Sequence, residues 1–267
     1  MRLHQPLSAP EALERFLAEP GVSAAVASRH VLPAREAEFA DVPAWLDPRL
    51  VRAMERRGIH SLYRHQREAL DALHDGEDVV IVTPTASGKS LCYNLPVLQG
   101  ICEDPAARAL YLFPTKALCQ DQLAEFRGLS ESADMELSAA VYDGDTPTPI
   151  RAVVREAGQV VVTNPDMLST AVLPHHTKWF QLFEQLRFIV VDEAHMYRGI
   201  FGSHVANVLR RLLRICAHYG SSPRLVCSSA TVGNPGELAE TLTGRPFRVI
   251  DRSGAPQGER HVVILDP

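Results

Sequence analysis

Lysine is nearly absent from this chain. Only Lys89, Lys116 and Lys178 occur, and every other one of the 27 basic residues is arginine. Arginine suits phosphate and base contacts. Its use also rises with genomic GC content, so the bias alone assigns no partner. No apolar run reaches the roughly 18 residues that a membrane-spanning helix needs, and no membrane partner is expected. The opening stretch, MRLHQPLSAPEALERF, lacks an apolar h-region and is not expected to be a secretory signal. The five cysteines form no CxxC pair. Neither a disulfide framework nor a zinc site is expected in this segment, and an intracellular, cytoplasmic setting fits best. No internal repeat or low-complexity tract is visible.

A basic surplus is also lacking. The 32 acidic residues give a net charge of -5, which excludes binding of nucleic acid by bulk charge and leaves only local contact. With 46% hydrophobic and 22% charged residues, the composition excludes a disordered, collagenous or coiled-coil chain. The 267 residues suffice for one large domain with a sizeable core.

Residues 1–50 are weakly patterned and carry prolines at 6, 10, 20, 33, 43 and 48. They read as an N-terminal arm with a short amphipathic stretch at Glu11–Glu19. Helical segments follow at Arg49–Arg57 and Tyr63–His74. From residue 79 onward short apolar runs recur at 79–82, 109–113, 136–142, 160–163, 188–192, 224–228 and 247–250. Amphipathic stretches at 89–99, 116–127, 203–218 and 235–243 separate several of them. Continuous apolar strands alternating with helices predict an α/β fold with a mostly parallel central sheet covered on both faces. The stripe Val205, Leu209, Leu212, Leu213 and Cys216 predicts a helix face against that sheet. The spacing places the main domain at 51–250 and a polar linker at 251–267, the latter carrying the apolar run HVVILDP.

Residues 78–90 read DVVIVTPTASGKS. An apolar strand enters a small-residue loop and leaves through Gly88, Lys89 and Ser90. In such a loop the backbone amides face phosphate oxygens, the lysine bridges the β- and γ-phosphates, and the serine holds Mg²⁺. Thr83 stands where the general pattern has its first glycine. Residues 188–195, FIVVDEAH, place Asp192 and Glu193 at the carboxyl end of another apolar strand, the ligand edge of an open sheet. Asp192 suits Mg²⁺, and Glu193 suits the attacking water. Extended backbone would point the two acids to opposite faces, so a turn must bring both inward. Nucleotide hydrolysis follows from this chemistry; what it drives does not.

The segments Gln66, TPTASGKS (83–90), PTKAL (114–118), TNPDML (163–168), DEAH (192–195) and SAT (229–231) occur in the order of a helicase. Together they resemble the first RecA-like, P-loop domain of a superfamily-two DEAD/DEAH-box helicase over roughly residues 45–250. LPAREAEF, LDPRL, SLYRHQREAL, VTPTASGKSLCYNLPVL and SSATVGNP look like the MrfA-type branch, DNA-repair helicases with a DUF1998/zinc-binding C-terminal region. The resemblance implies that Gln66 reads the adenine edge beside Thr85, Ala86, Ser87, Gly88, Lys89 and Ser90. It implies that His195 senses the γ-phosphate side and that Ser229, Ala230 and Thr231 couple hydrolysis to strand movement. Pro114, Thr115, Lys116, Gly144, Asp145, Thr163, Asn164, Pro165 and Asp166 would contact nucleic acid. For Thr163 to Pro165 a helix-capping role stands beside that one.

PTKAL and TNPDML depart from the PTRELA and TPGR forms of RNA-directed relatives, and both favour DNA, single-stranded or at a duplex junction. An RNA-dependent ATPase, a restriction-type translocase and a non-catalytic adaptor are the alternatives. A second RecA-like domain, the expected partner and source of an arginine finger, matches no segment here. The chain alone, expected to be monomeric, should bind nucleotide weakly, hydrolyse ATP poorly and not unwind DNA. His175 and His176 lack a third ligand at metal spacing and read as a surface or DNA-proximal loop.

Overall fold

The computed structural model describes residues 7–266; residues 1–6 of the expected arm and Pro267 of the expected linker lie outside the described residues. The strands in chain order are β1 (Val26–Leu32), β2 (Phe39–Ala40), β3 (Leu62–Tyr63), β4 (Val79–Val82), β5 (Arg108–Leu112), β6 (Ala139–Val141), β7 (Val160–Thr163), β8 (Leu186–Val191), β9 (Arg224–Ser229), β10 (Arg248–Ile250) and β11 (Arg260–Leu265). The α-helices are α1 (Ala9–Leu17), α2 (Pro20–Ala25), α3 (Pro48–Arg56), α4 (Arg64–His74), α5 (Lys89–Glu103), α6 (Lys116–Ser132), α7 (Thr148–Ala157), α8 (Pro165–Met167), α9 (Phe180–Glu184), α10 (Gly199–His218) and α11 (Pro235–Thr243). Among the described residues no helix is long and apolar enough to cross a membrane.

Two compact units emerge. The larger spans Glu38–Ala255 and is built on a seven-stranded sheet in the order β10-β4-β9-β8-β5-β7-β6. Every pairing in it is parallel. Alternate residues of each strand serve opposite faces. Val79, Ile81, Ala109, Tyr111, Val160 and Val162 join α3 to α6 in one core cluster. Val80, Val82, Leu110, Leu112, Val161 and Val191 join α10, α11 and the helical segment after β7 in the other. Within α10, Val205, Leu209, Leu212 and Cys216 are buried as the stripe predicts.

Local sequence explains where the helices begin. Asp47 caps α3 by accepting from Arg49 N at 2.8 Å, and Pro48 fills the first helical position, where its missing N–H is not needed. Thr115 caps α6 by accepting from Leu118 N at 3.3 Å. α5 starts without a side-chain cap, directly from left-handed Gly88, and runs through Pro96 to Glu103. An interior proline costs about 3 kcal/mol. Nearly complete burial of residues 92–99 offsets it.

After β7 the chain forms α8, a π-helical turn at Leu168–Val172, a 3-10 segment at Leu173–Trp179 and then α9. His176 therefore lies in helical backbone, while His175, at φ -112° and ψ 28°, marks a kink in it. His176 Nδ1 is 2.9 Å from Tyr219 Oη.

The smaller unit comprises residues up to Ala37 together with those from Pro256 onward. In it β1 and β11 pair antiparallel, Val31 opposite His261, and Arg35 bridges Gln257. An Arg29–Glu14 ion pair ties α1 to β1.

Candidate nucleotide and nucleic-acid site

β4 delivers the chain into residues 83–88 at the carboxyl edge of the sheet. Thr83, in the first glycine's place, is fully buried, and its Oγ1 lies 2.6 Å from Ser87 Oγ across the loop. Threonine thus staples the loop. Ala86 and Gly88 have φ of 60° and 79°. Such left-handed residues turn backbone N–H groups into an anion-binding concavity. Thr85 and Ala86 are exposed, whereas Ser87 is buried. Lys89 Nζ donates to the carbonyls of Thr83 at 2.8 Å and Pro84 at 3.1 Å. Burial lowers its pKa, and Glu193 and Asp192 pull the other way. A phosphate would replace those two carbonyls as the lysine's partner, so the loop fits an anionic group.

Gln66 is almost fully buried. Its Oε1 accepts from Tyr63 N at 2.8 Å, and its Nε2 donates to Gly88 O at 2.9 Å. A Cβ on Gly88 would come 2.6 Å from that Nε2, so a larger residue there would displace the glutamine amide as well as strain the left-handed backbone. Gln66 therefore grips the phosphate loop itself and retains one amide hydrogen.

The acid pair comes from β8. Asp192 is buried, and burial pushes its carboxyl up to about 6. Its Oδ1 accepts from Glu193 N at 2.8 Å and from Ser228 Oγ; its Oδ2 lies 3.3 Å from Tyr93 Oη. A carboxylate has about four acceptor positions, so at least one remains. Glu193 takes φ 52°, ψ 40°, the turn that brings both acids to one side. His195 Nδ1 lies 3.1 Å from Glu193 Oε2 and accepts from Ala230 N at 3.3 Å. Ser229 Oγ turns to Ala230 O at 2.8 Å, and Thr231 is exposed. Ser90 Oγ donates to Glu125 Oε1 at 2.6 Å. Ser90 and Asp192 supply hard oxygen donors of the kind Mg²⁺ prefers.

The strand order sorts the motifs. β4, β9 and β8 are consecutive and carry residues 83–90, 228–231 and 192–195; β5, β7 and β6 are consecutive and carry 114–116, 163–166 and 142–145. The second group is mixed in exposure. Lys116 and Asp145 are exposed and paired at 2.6 Å, beside exposed Gly144. Lys116, Asp145, Arg127 and Thr146 line a groove of about 480 Å³. Pro114 lies beside Thr115, whose hydroxyl caps α6. Thr163 faces the interior, with its hydroxyl on Tyr142 O at 2.6 Å. Asn164 caps α8 by accepting from Met167 N at 2.9 Å; Pro165 is buried and Asp166 exposed.

Several residues at the site escape motif reading. Ser228 precedes the SAT triad, and Tyr93 stands one turn after Ser90. Gln122 and Glu125 look like the solvated face of α6. His65 is fully buried beside Gln66; its Nδ1 accepts from Gly254 N at 3.2 Å, and its Nε2 has no partner among the described residues. Burial pushes its pKa down to about 4. Its adjacency to Gln66 is the one signal the sequence offered.

A family model described as DEAD/DEAH box helicase matches residues 63–238. The uncharacterized ATP-dependent helicase YprA of Bacillus subtilis is 54% identical over 91% of this chain and 32% of its own length. The ATP-dependent helicase HRQ1 of Saccharomyces cerevisiae is 36% identical over 97% of this chain and 24% of its own. The crystal structure of the DUF1998 helicase MrfA bound to DNA and AMPPNP superposes with a TM-score of 0.92 at 52% identity, covering 96% of this chain and 36% of that one. The chain thus spans between a quarter and a third of these two curated relatives.

Proposed function

The chain belongs to the DEAD/DEAH box helicase family, and on that premise we propose that it is the ATP-binding lobe of an ATP-dependent DNA helicase or translocase acting in DNA repair. The observation that carries the reading is the strand order. It gathers Lys89, Asp192, Glu193 and His195 on one half of the sheet edge and the exposed Lys116 loop on the other.

In this reading Lys89 leaves its two loop carbonyls for the β- and γ-phosphates. Ser90 and Asp192 hold Mg²⁺, which neutralises phosphate charge when bound. Glu193 orients the attacking water, and Gln66 offers its remaining amide hydrogen to the base. Ser229, Ala230 and Thr231 carry the change onward through His195. DNA is preferred over RNA because PTKAL and TNPDML depart from the RNA-directed forms. The DNA bound to MrfA, a relative of high identity, supports the same choice. A second RecA-like domain of the full-length protein completes the site with an arginine, a contribution of about 10³–10⁵ in turnover. The five cysteines, all free thiols, support an intracellular setting.

Steady-state ATPase assays of the chain and of the full-length protein, each with single-stranded DNA or RNA, test the reading. DNA-stimulated turnover by the full-length protein alone is expected. Stimulation by RNA and not DNA would replace the substrate, and full activity after Lys89→Ala would refute the site.

A further inference from the structure

Two helices meet beside the candidate cation ligands. α5 presents Ser90 and Tyr93, one turn apart; α6 presents Gln122 and Glu125, also one turn apart. The contacts run antiparallel. Ser90 Oγ donates to Glu125 Oε1 at 2.6 Å, and Tyr93 Oη donates to Gln122 Oε1 at 2.9 Å. The same phenol lies 3.3 Å from Asp192 Oδ2. It has a single proton. When that proton goes to Asp192, Gln122 answers by turning its amide N–H to the phenol oxygen, a swap that keeps its shape. Tyr93 bridges Gln122 and Asp192 either way.

Both candidate cation ligands are therefore held from α6, Ser90 directly and Asp192 through Tyr93. Glu125 is the informative member. A serine hydroxyl that gives a lone pair to a cation must give its proton to an acceptor elsewhere. Glu125 is placed as that acceptor. A neutral helix–helix tie would be served by glutamine. A carboxylate beside a phosphate loop repels its ligand unless a cation stands between them.

We propose that Glu125 is a positioning residue for the divalent cation. It accepts the Ser90 hydroxyl's hydrogen bond and so turns the serine lone pairs toward the metal, while Gln122 and Tyr93 set the Asp192 carboxylate. The inference rests on the ATP–Mg²⁺ reading above.

A fluorescent ADP analogue titrated into the chain, with Mg²⁺ and with EDTA, separates the two. Glu125→Ala is expected to weaken Mg²⁺-dependent binding about tenfold or more, in the range for residues that orient metal ligands. Metal-free affinity should stay within about twofold. Glu125→Gln keeps the hydrogen bond and serves should the alanine variant fail to fold; it should fall between Glu125→Ala and wild type. Equal loss with and without Mg²⁺, or none, overturns the proposal. A wild-type chain that gains no affinity from Mg²⁺ overturns the nucleotide–metal reading and this inference with it. A wild-type gain that survives both substitutions sinks the inference alone.

Discussion

The backbone N–H of Ala230 points at His195 Nδ1 over 3.3 Å, and the same nitrogen lies 3.1 Å from Glu193 Oε2. One ring nitrogen either accepts or donates. Unprotonated, Nδ1 holds Ala230 on the β9 side; protonated, it holds Glu193 on the β8 side. His195 thus sits between two mutually exclusive partners. His195→Ala should leave nucleotide affinity within about twofold and reduce DNA-stimulated ATP turnover of the full-length protein about tenfold, the scale of coupling residues. Equilibrium nucleotide binding and steady-state ATPase check the split.

Lys116 is paired with Asp145 in solvent, where such a pair contributes little to stability. Breaking it costs the fold little and changes what Lys116 offers a phosphate. Asp145→Asn should tighten binding of labelled single-stranded DNA about threefold. Lys116→Ala should weaken it and lower the salt slope by about one counterion. Fluorescence anisotropy across a salt series reads both; unchanged slopes would remove Lys116 from the DNA track.

Gly88→Ala combines a left-handed backbone, φ 79°, with a Cβ 2.6 Å from Gln66 Nε2. The conformational strain alone is about 1–2 kcal/mol. The lost Gln66–Gly88 bond adds about 1 kcal/mol. Thermal denaturation should register a loss near that sum, and nucleotide binding should fall with it.

His65 sets a pH dependence. Its folded pKa is pushed from the ordinary 6.5 to about 4, so the unfolded chain takes up this proton first. Stability from this group is therefore full above pH 6.5 and falls as the pH drops toward 4. A shift of that size is worth about 3 kcal/mol at most. Asp192 has the opposite sign. Its folded pKa rises from 3.8 to about 6, so its contribution is full below pH 3.8 and is lost as the pH climbs through 6. Melting temperatures of wild type and His65→Gln at about pH 7.5, 6 and 5 isolate the histidine. The wild type should lose more on acidification than the variant does.

Much of this was legible from residues in order. Val160–Thr163 was readable to the residue because a parallel strand covered on both faces has no polar position to blur it. A turn after Asp192 was expected from two adjacent acids at a strand end, and Glu193 is left-handed there. The pairing of Val26–Leu32 with Arg260–Leu265 was not readable, since its partners lie far apart in the sequence and periodicity sees one segment at a time. Helix Thr148–Ala157 hid behind Pro147 at its cap and Pro149 in its first turn. Glu125 and Gln122 were invisible for a different reason. Alone, each is a polar residue on an amphipathic helix, and only the approach of α5 gives it a partner.

α6 acts as a rod with a job at each of two stations. Thr115 and Lys116 stand at its start, and Glu125 holds Ser90 about 14 Å along its axis, at 1.5 Å of rise per residue. A helix transmits displacement along its length with little compression. If the proposed roles hold, a phosphate drawing on Lys116 would draw on the helix that carries Glu125. The strand contact and the metal seat would then be two stations on one stiff part.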